Sequence, residues 1–91
     1  MTREEVYKLI DEERDYQDNV VDPDPKRRAI ETHSVGDYMI MLHHYLHMAD
    51  TGWNLYPGQS KALDNIRKIA GICVKCMEQY DTSARGEYNG D

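Results

Sequence analysis

The chain has 91 residues and a mass of 10.6 kDa, enough for one domain that buries about 60 to 65% of its unfolded surface. Charged residues make up 31% and hydrophobic residues 40% of it, a balance that suits a soluble globular or oligomeric protein better than a disordered one. Eleven basic against seventeen acidic residues leave a net charge of −6, which disfavours binding to DNA or RNA through phosphate neutralisation, and no apolar run approaches the roughly 18 residues of a membrane span.

Thr2-Arg3-Glu4-Glu5 has the form of a capping box, with the Thr2 hydroxyl and the Glu5 carboxylate each satisfying a backbone amide of the other. An acidic helix start of this kind is not a signal peptide, so the expected compartment is the cytoplasm, that of an infected host cell under the resemblance below. The first helix is predicted over 2–19, where Val6, Leu9 and Ile10 recur at helical spacing. Its stripe then runs through Glu13 and Gln17 before returning to Val20. Polar groups therefore occupy core positions, where they are costly unless paired. Glu13 and Gln17, with Arg14 and Tyr16 beside them, are expected either to tie helix 1 to the rest of the chain or to meet a ligand.

Val20-Val21-Asp22-Pro23-Asp24-Pro25 ends that helix, because each proline disfavours the α region for the residue before it and offers no amide donor. A linker over 20–33 is predicted. It carries Lys26, Arg27 and Arg28, of which Lys26 and Arg28 are candidate phosphate contacts. Ser34-Val35-Gly36-Asp37 repeats the capping pattern and opens a helix over 34–51, with Val35, Tyr38, Met39, Leu42, Tyr45, Leu46 and Ala49 as its apolar set. His33 and Asp37 at this helix start suit a ribose hydroxyl, a base edge or a metal, while capping alone also accounts for Ser34 and Asp37.

Gly52 is expected to cap the second helix and Pro57-Gly58 to mark a loop. A third helix over 60–80 places Leu63, Ile66, Ala70, Cys73 and Met77 on one stripe widened by Ala62, Ile69 and Cys76, more than one neighbour can cover. Gly71 within it suits a close helix approach, and Arg67 and Lys68 add cations. The tail over 81–91 is polar. The predicted class is all-α, one domain over 1–91: an N-terminal helix, a proline-rich linker and an antiparallel helical hairpin, assembled as a homo-oligomer because two broad apolar faces exceed what so short a chain covers.

Several constellations carry less. His43 and His47 lie one turn apart, but two imidazoles do not complete a metal site, so no metal and no cofactor is expected. Cys73-Val74-Lys75-Cys76 is a lone CxxC, read as packing in a reducing compartment. No catalytic residue is assigned, since no Ser or Cys has a base at diagnostic spacing. Helical nucleotide pyrophosphohydrolases hold magnesium with Glu-x-x-Glu and Glu-x-x-Asp pairs; Glu12/Asp15 and Glu78/Asp81 give the second pattern and the first is absent.

Glu13-Arg14-Asp15-Tyr16-Gln17, His33-Ser34-Val35-Gly36-Asp37-Tyr38, and Ala62 through Ala70 with Cys76-Met77-Glu78 resemble a recurring type of small phage-borne helical protein over most of the chain outside the linker and tail. The helical hairpin is similar, more loosely, to that of the anti-CBASS and anti-Thoeris sponges, which bind cyclic nucleotides or cyclic ADP-ribose isomers without cleaving them. The resemblance implies an oligomer with pockets between subunits, aromatic residues stacking on bases and basic residues holding phosphates. Tyr16, Arg14, Lys26 and Arg67 are of the matching types. The expected function is thus sequestration of a nucleotide-derived signal by Glu13, Arg14, Tyr16, Gln17, Lys26, Arg28, His33, Asp37 and Arg67. The alternatives are a magnesium-dependent pyrophosphohydrolase using Glu13, Asp37 and Asp15, or a structural or protein-inhibiting module.

Overall fold

Capping chemistry at Thr2 and Ser34 and two glycines on facing helix surfaces set most of the architecture. The structure, a computed structural model, describes residues 1–21, 23–24, 33–54 and 58–86. Among these residues it is all-helical: α1 (Arg3–Tyr16) passes into a single π-helical turn (Gln17–Val21), and α2 (Val35–Asn54) and α3 (Gln59–Tyr80) form a helical hairpin. None of these helices is long and apolar enough to cross a membrane.

The capping box at α1 forms as its sequence dictates, with the Glu5 amide donating to the Thr2 hydroxyl and the Glu5 carboxylate accepting the Thr2 amide. The helix keeps its α geometry only to Tyr16, short of residue 19, and the ladder then widens to π geometry. At α2 the reciprocal pair is Ser34 N–H to the Asp37 carboxylate and Asp37 N–H to the Ser34 hydroxyl, each at 3.0 Å. Of the predicted linker over 20–33, only residues 20–21, 23–24 and 33 are described, and Lys26 and Arg28 lie outside the described residues.

Two expectations about the hairpin are corrected. Gly52 does not cap α2; the helix runs on to Asn54, and Gly52 is buried where α2 meets α3. A Cβ built there would lie 2.9 Å from Lys61 Cβ and 3.4 Å from the Ala62 amide nitrogen, so the missing side chain sets the approach of the two helices. The second correction concerns α3, whose stripe Leu63, Ile66 and Met77 stays at least half exposed, while Ala62, Asn65, Gly71 and Ile72 are the buried residues. Small residues bring the neighbours closest, so the inward faces of α3 follow them rather than the bulkiest side chains. The helix ends at Asp81, a left-handed residue with φ 53° whose amide donates to the Met77 carbonyl.

Tyr38, 1% exposed, is the largest fully buried side chain among the described residues, and its hydroxyl donates to Gln79 Oε1 at 2.5 Å. The hydroxyl of Tyr80 and the side-chain amide of Gln79 both donate to the His33 carbonyl, fastening the start of α2 to the end of α3. Asn65 donates to the Lys61 carbonyl, and its buried Oδ1 has no partner among the described residues. On α1, Val6 and Leu9 remain 39% and 38% exposed, so the apolar half of that helix is only partly covered.

Alanine at Gly52 gains about 1 kcal/mol of helix propensity but meets an overpacking cost of about 1 to 3 kcal/mol. Gly52→Ala is therefore expected to lower the melting midpoint by several degrees; a raised midpoint would show that the two helices do not meet this closely. The hydrogen bond from Ser34 N–H is the main influence holding the Asp37 carboxyl below its ordinary value of 3.8. A depressed folded value stabilises above the unfolded one and is lost as pH falls through the folded one, so between about pH 5 and pH 2 wild type should lose more stability than Asp37→Asn, measured by denaturant midpoints.

Candidate ligand cleft

Glu13 sits on the continuation of α1's apolar stripe, and α1 meets α3 there at Gly71. A Cβ at Gly71 would lie 2.7 Å from Gln17 Nε2 and 2.9 Å from Glu13 Cγ, so these polar side chains lie directly against the α3 backbone. Glu13 is only 7% exposed. Its carboxylate accepts from Arg67 Nε at 2.9 Å on one oxygen and from Gln17 Nε2 at 3.2 Å on the other. A buried carboxylate requires this, since desolvating it unpaired costs several kcal/mol. Arg67 also donates to Asp64, and its bond to Glu13 is the chief influence raising its pKa above that of a free arginine.

Gln17 extends the network in both directions. Its amide nitrogen also reaches the Lys68 carbonyl at 3.4 Å, and its oxygen accepts from Arg14 Nη1 at 3.2 Å. Arg14, 7% exposed, donates in addition to Glu78 at 3.3 Å and to Asp18 at 3.2 Å. Thus Glu13, Arg14, Gln17 and Arg67, all singled out in the sequence, converge in one network with protein partners throughout, and it binds α1 to α3.

Beside this network lies a cleft of about 270 Å³ between the three helices, lined by Tyr16, Tyr45, Met41, Ile72, Lys68 and Lys75, with Glu13 and Gln17 in its wall. A second, more open depression between α1 and α3 shares Glu13, Tyr16 and Lys68 with it and adds Arg67 and Asp64. Tyr16 stands between the two, 54% exposed. The π turn shapes the first cleft directly, because Gln17 and Val21, its two ends, line it. Such single π turns recur at functional sites. Lys68 Nζ lies 6.0 Å from the centre of the Tyr45 ring and 3.4 Å from Asp64. Lys75 makes no ion pair with any described residue.

His33 and Asp37 are elsewhere. They sit at the start of α2, with the His33 ring edge-on to Tyr38 at 5.4 Å and Asp37 occupied in capping. His43 and His47 are exposed, Cys73 and Cys76 are free thiols, and burial raises the Cys73 pKa. Glu12 and Asp15 are exposed on α1, and among the described residues no three His, Cys, Asp or Glu side chains come together as a metal site.

The sequence offered Lys68, beside Arg67, as a cation for a phosphate, but did not assign Tyr45 or Lys75 to a site. Tyr45 reads as core because its spacing matches the apolar set of α2. The usable signal for the lysines is their position three before and four after Gly71, which puts both on the face where the backbone is bare.

A double-mutant cycle between Glu13→Gln and Arg67→Ala should give a coupling of about 1 to 2 kcal/mol, below the 3 to 5 typical of a wholly buried pair because Arg67 is partly solvated; a coupling near zero would mean that Gln17 alone satisfies the carboxylate. Comparison with protein-family models, curated proteins and solved structures finds no match for this chain.

Proposed function

We propose that the chain binds and sequesters a nucleotide-derived signalling molecule, a cyclic oligonucleotide or a cyclic ADP-ribose isomer, without cleaving it. The observation that carries this reading is the convergence of two tyrosine rings and two lysines on one cleft beside a fixed polar wall. Tyrosine faces stack on bases, at about 1 to 3 kcal/mol per base. The ammonium groups of Lys68 and Lys75 supply charge for phosphates in a chain that is acidic overall, and the Glu13 carboxylate, whose oxygens accept from Arg67 and Gln17, keeps further lone pairs for a base or ribose donor. A phage counter-defence role follows from the resemblance in the sequence.

The pyrophosphohydrolase reading asks Glu13, Asp37 and Asp15 to share a magnesium ion. Glu13 is held beneath Arg67 on α3, Asp37 caps α2 next to residues that bond the end of α3, and Asp15 points from the exposed side of α1. This separation favours sequestration over turnover.

Thermal denaturation against cyclic di- and trinucleotides, cyclic ADP-ribose isomers and nucleoside triphosphates, with magnesium and with EDTA, tests the proposal. A true ligand at 100 times its dissociation constant adds about 2.7 kcal/mol of stability and is recovered intact after denaturation. Tyr16→Ala should weaken binding by roughly tenfold or more with little change in the unliganded melting midpoint, because Tyr16 is exposed, and Lys75→Ala should weaken it and flatten its salt dependence. Magnesium-dependent loss of triphosphate would establish the hydrolase instead, and no shift with any compound would leave the helical interaction module.

A further inference from the structure

The polar wall that Glu13 and Gln17 give the cleft is one-sided in its hydrogen-bonding sense. The Gln17 side-chain nitrogen donates to the Glu13 carboxylate at 3.2 Å and to the Lys68 carbonyl at 3.4 Å, which engages both of its hydrogens. The Gln17 oxygen accepts from Arg14 and keeps one lone pair. Glu13 accepts from Arg67 on one carboxylate oxygen and from Gln17 on the other, so each oxygen has a further lone pair to offer. This wall therefore presents acceptors and no free donor. The donors of the cleft, the ammonium groups of Lys68 and Lys75 and the hydroxyls of Tyr16 and Tyr45, belong to other residues.

Glu13 is only 7% exposed, so a ligand lying against it takes away the last of its contact with water. Only a donor offsets that loss. An acceptor placed there would set lone pair against lone pair in a site where an unsatisfied polar group is costly. Arg67 already balances the carboxylate's charge, so a neutral group with N–H or O–H donors suits the wall better than a second cation.

A carboxylate with room on both oxygens is matched by two parallel donors set about as far apart as those oxygens. Among the common bases guanine has this pair, N1–H beside the N2 amino group. Adenine and cytosine place an amino group next to a bare ring nitrogen, and uracil places one N–H between two carbonyls, so each of these turns an acceptor towards the wall. The vicinal hydroxyls of a ribose are the rival donor pair. Glu13, however, shares its cleft with the rings of Tyr16 and Tyr45, which take a flat base by stacking and leave the base edge to the wall. The cleft, at about 270 Å³, is also smaller than the roughly 300 to 1,000 Å³ that encloses a whole drug-sized molecule, and suits one base of a larger ligand.

We propose that Glu13 reads the N1 and N2 hydrogens of a guanine, so that the signal selected by this cleft is a cyclic oligonucleotide containing that base. This inference rests on the sequestration reading and narrows it, since an adenine-bearing cyclic ADP-ribose isomer lacks the donor pair.

Isothermal titration of the whole chain with cyclic di-GMP, cyclic di-IMP, cyclic di-AMP and cyclic di-UMP tests it. Cyclic di-GMP should bind most tightly. Hypoxanthine keeps N1–H and lacks the N2 amino group, so cyclic di-IMP should bind about ten- to a hundredfold more weakly, the loss of one hydrogen bond to a charged group. Cyclic di-AMP and cyclic di-UMP should be weaker still. Glu13→Gln exchanges one acceptor for a donor, and a side-chain amide pairs with adenine through two hydrogen bonds, so this variant should prefer cyclic di-AMP to cyclic di-GMP. A carboxylate with a structural role alone would lower the melting midpoint without reversing that order, which overturns the proposal. If Glu13→Gln fails to fold, the base series on wild type decides alone. Equal affinity for the four dinucleotides, preference for one without guanine, or tighter binding of a cyclic ADP-ribose isomer overturns guanine selection and leaves sequestration standing. No binding of any of these compounds overturns both.

Discussion

The burial of the Glu13 carboxylate against the bare backbone at Gly71 is the constraint on which the rest of this small structure depends. A carboxylate in that position survives only if both oxygens are satisfied, and meeting that need recruits Arg67 from α3 and Gln17 from the next turn of α1. Gln17 in turn bonds the Lys68 carbonyl and receives Arg14. One buried charge thereby fixes how α1 lies on α3, and Gly71 permits the approach because any side chain there would collide with Glu13. Few large apolar groups are buried between these helices, so polar specificity replaces hydrophobic area in joining them.

The cleft is a consequence of that same join. With α1 held at Gly71, Tyr16 is left standing between two depressions, and the π turn that follows brings Gln17 and Val21 to the wall of one of them. Lys68 and Lys75 flank the glycine on α3, so the residue that admits α1 also places two amines at the cleft. Residues that hold the fold and residues available to a ligand are therefore neighbours with different partners: Arg14 and Arg67 are spoken for by carboxylates, whereas the Tyr16 ring is exposed and Lys75 makes no ion pair with a described residue.

Among the described residues the buried hydrophobic side chains are Tyr38, Ala49, Ala62 and Ile72. Secondary links carry part of the remainder: the Tyr38 hydroxyl to Gln79, and Tyr80 and Gln79 to the His33 carbonyl, close the open end of the hairpin. On the side of the hairpin away from the cleft, Met39, Leu46, Leu63, Ile66 and Met77 stay at least half exposed.

The sequence by itself determined the elements that depend on neighbours in the chain. The capping residues Thr2, Glu5, Ser34 and Asp37 announce both helix starts, because capping is a local hydrogen-bond exchange. The polar interruption at Glu13 and Gln17 was likewise legible, since no apolar stripe tolerates an unpaired carboxylate. Only the tertiary structure decided which face of α3 turns inward, that Gly52 packs instead of capping, that His33 and Asp37 lie apart from Glu13, and that Tyr45 and Lys75 line one cleft with Tyr16. Periodicity reports that a helix has an apolar side; it cannot say which of three sides receives each neighbour, because that choice is made by close approach over small residues and by partners more than fifty positions away in the chain.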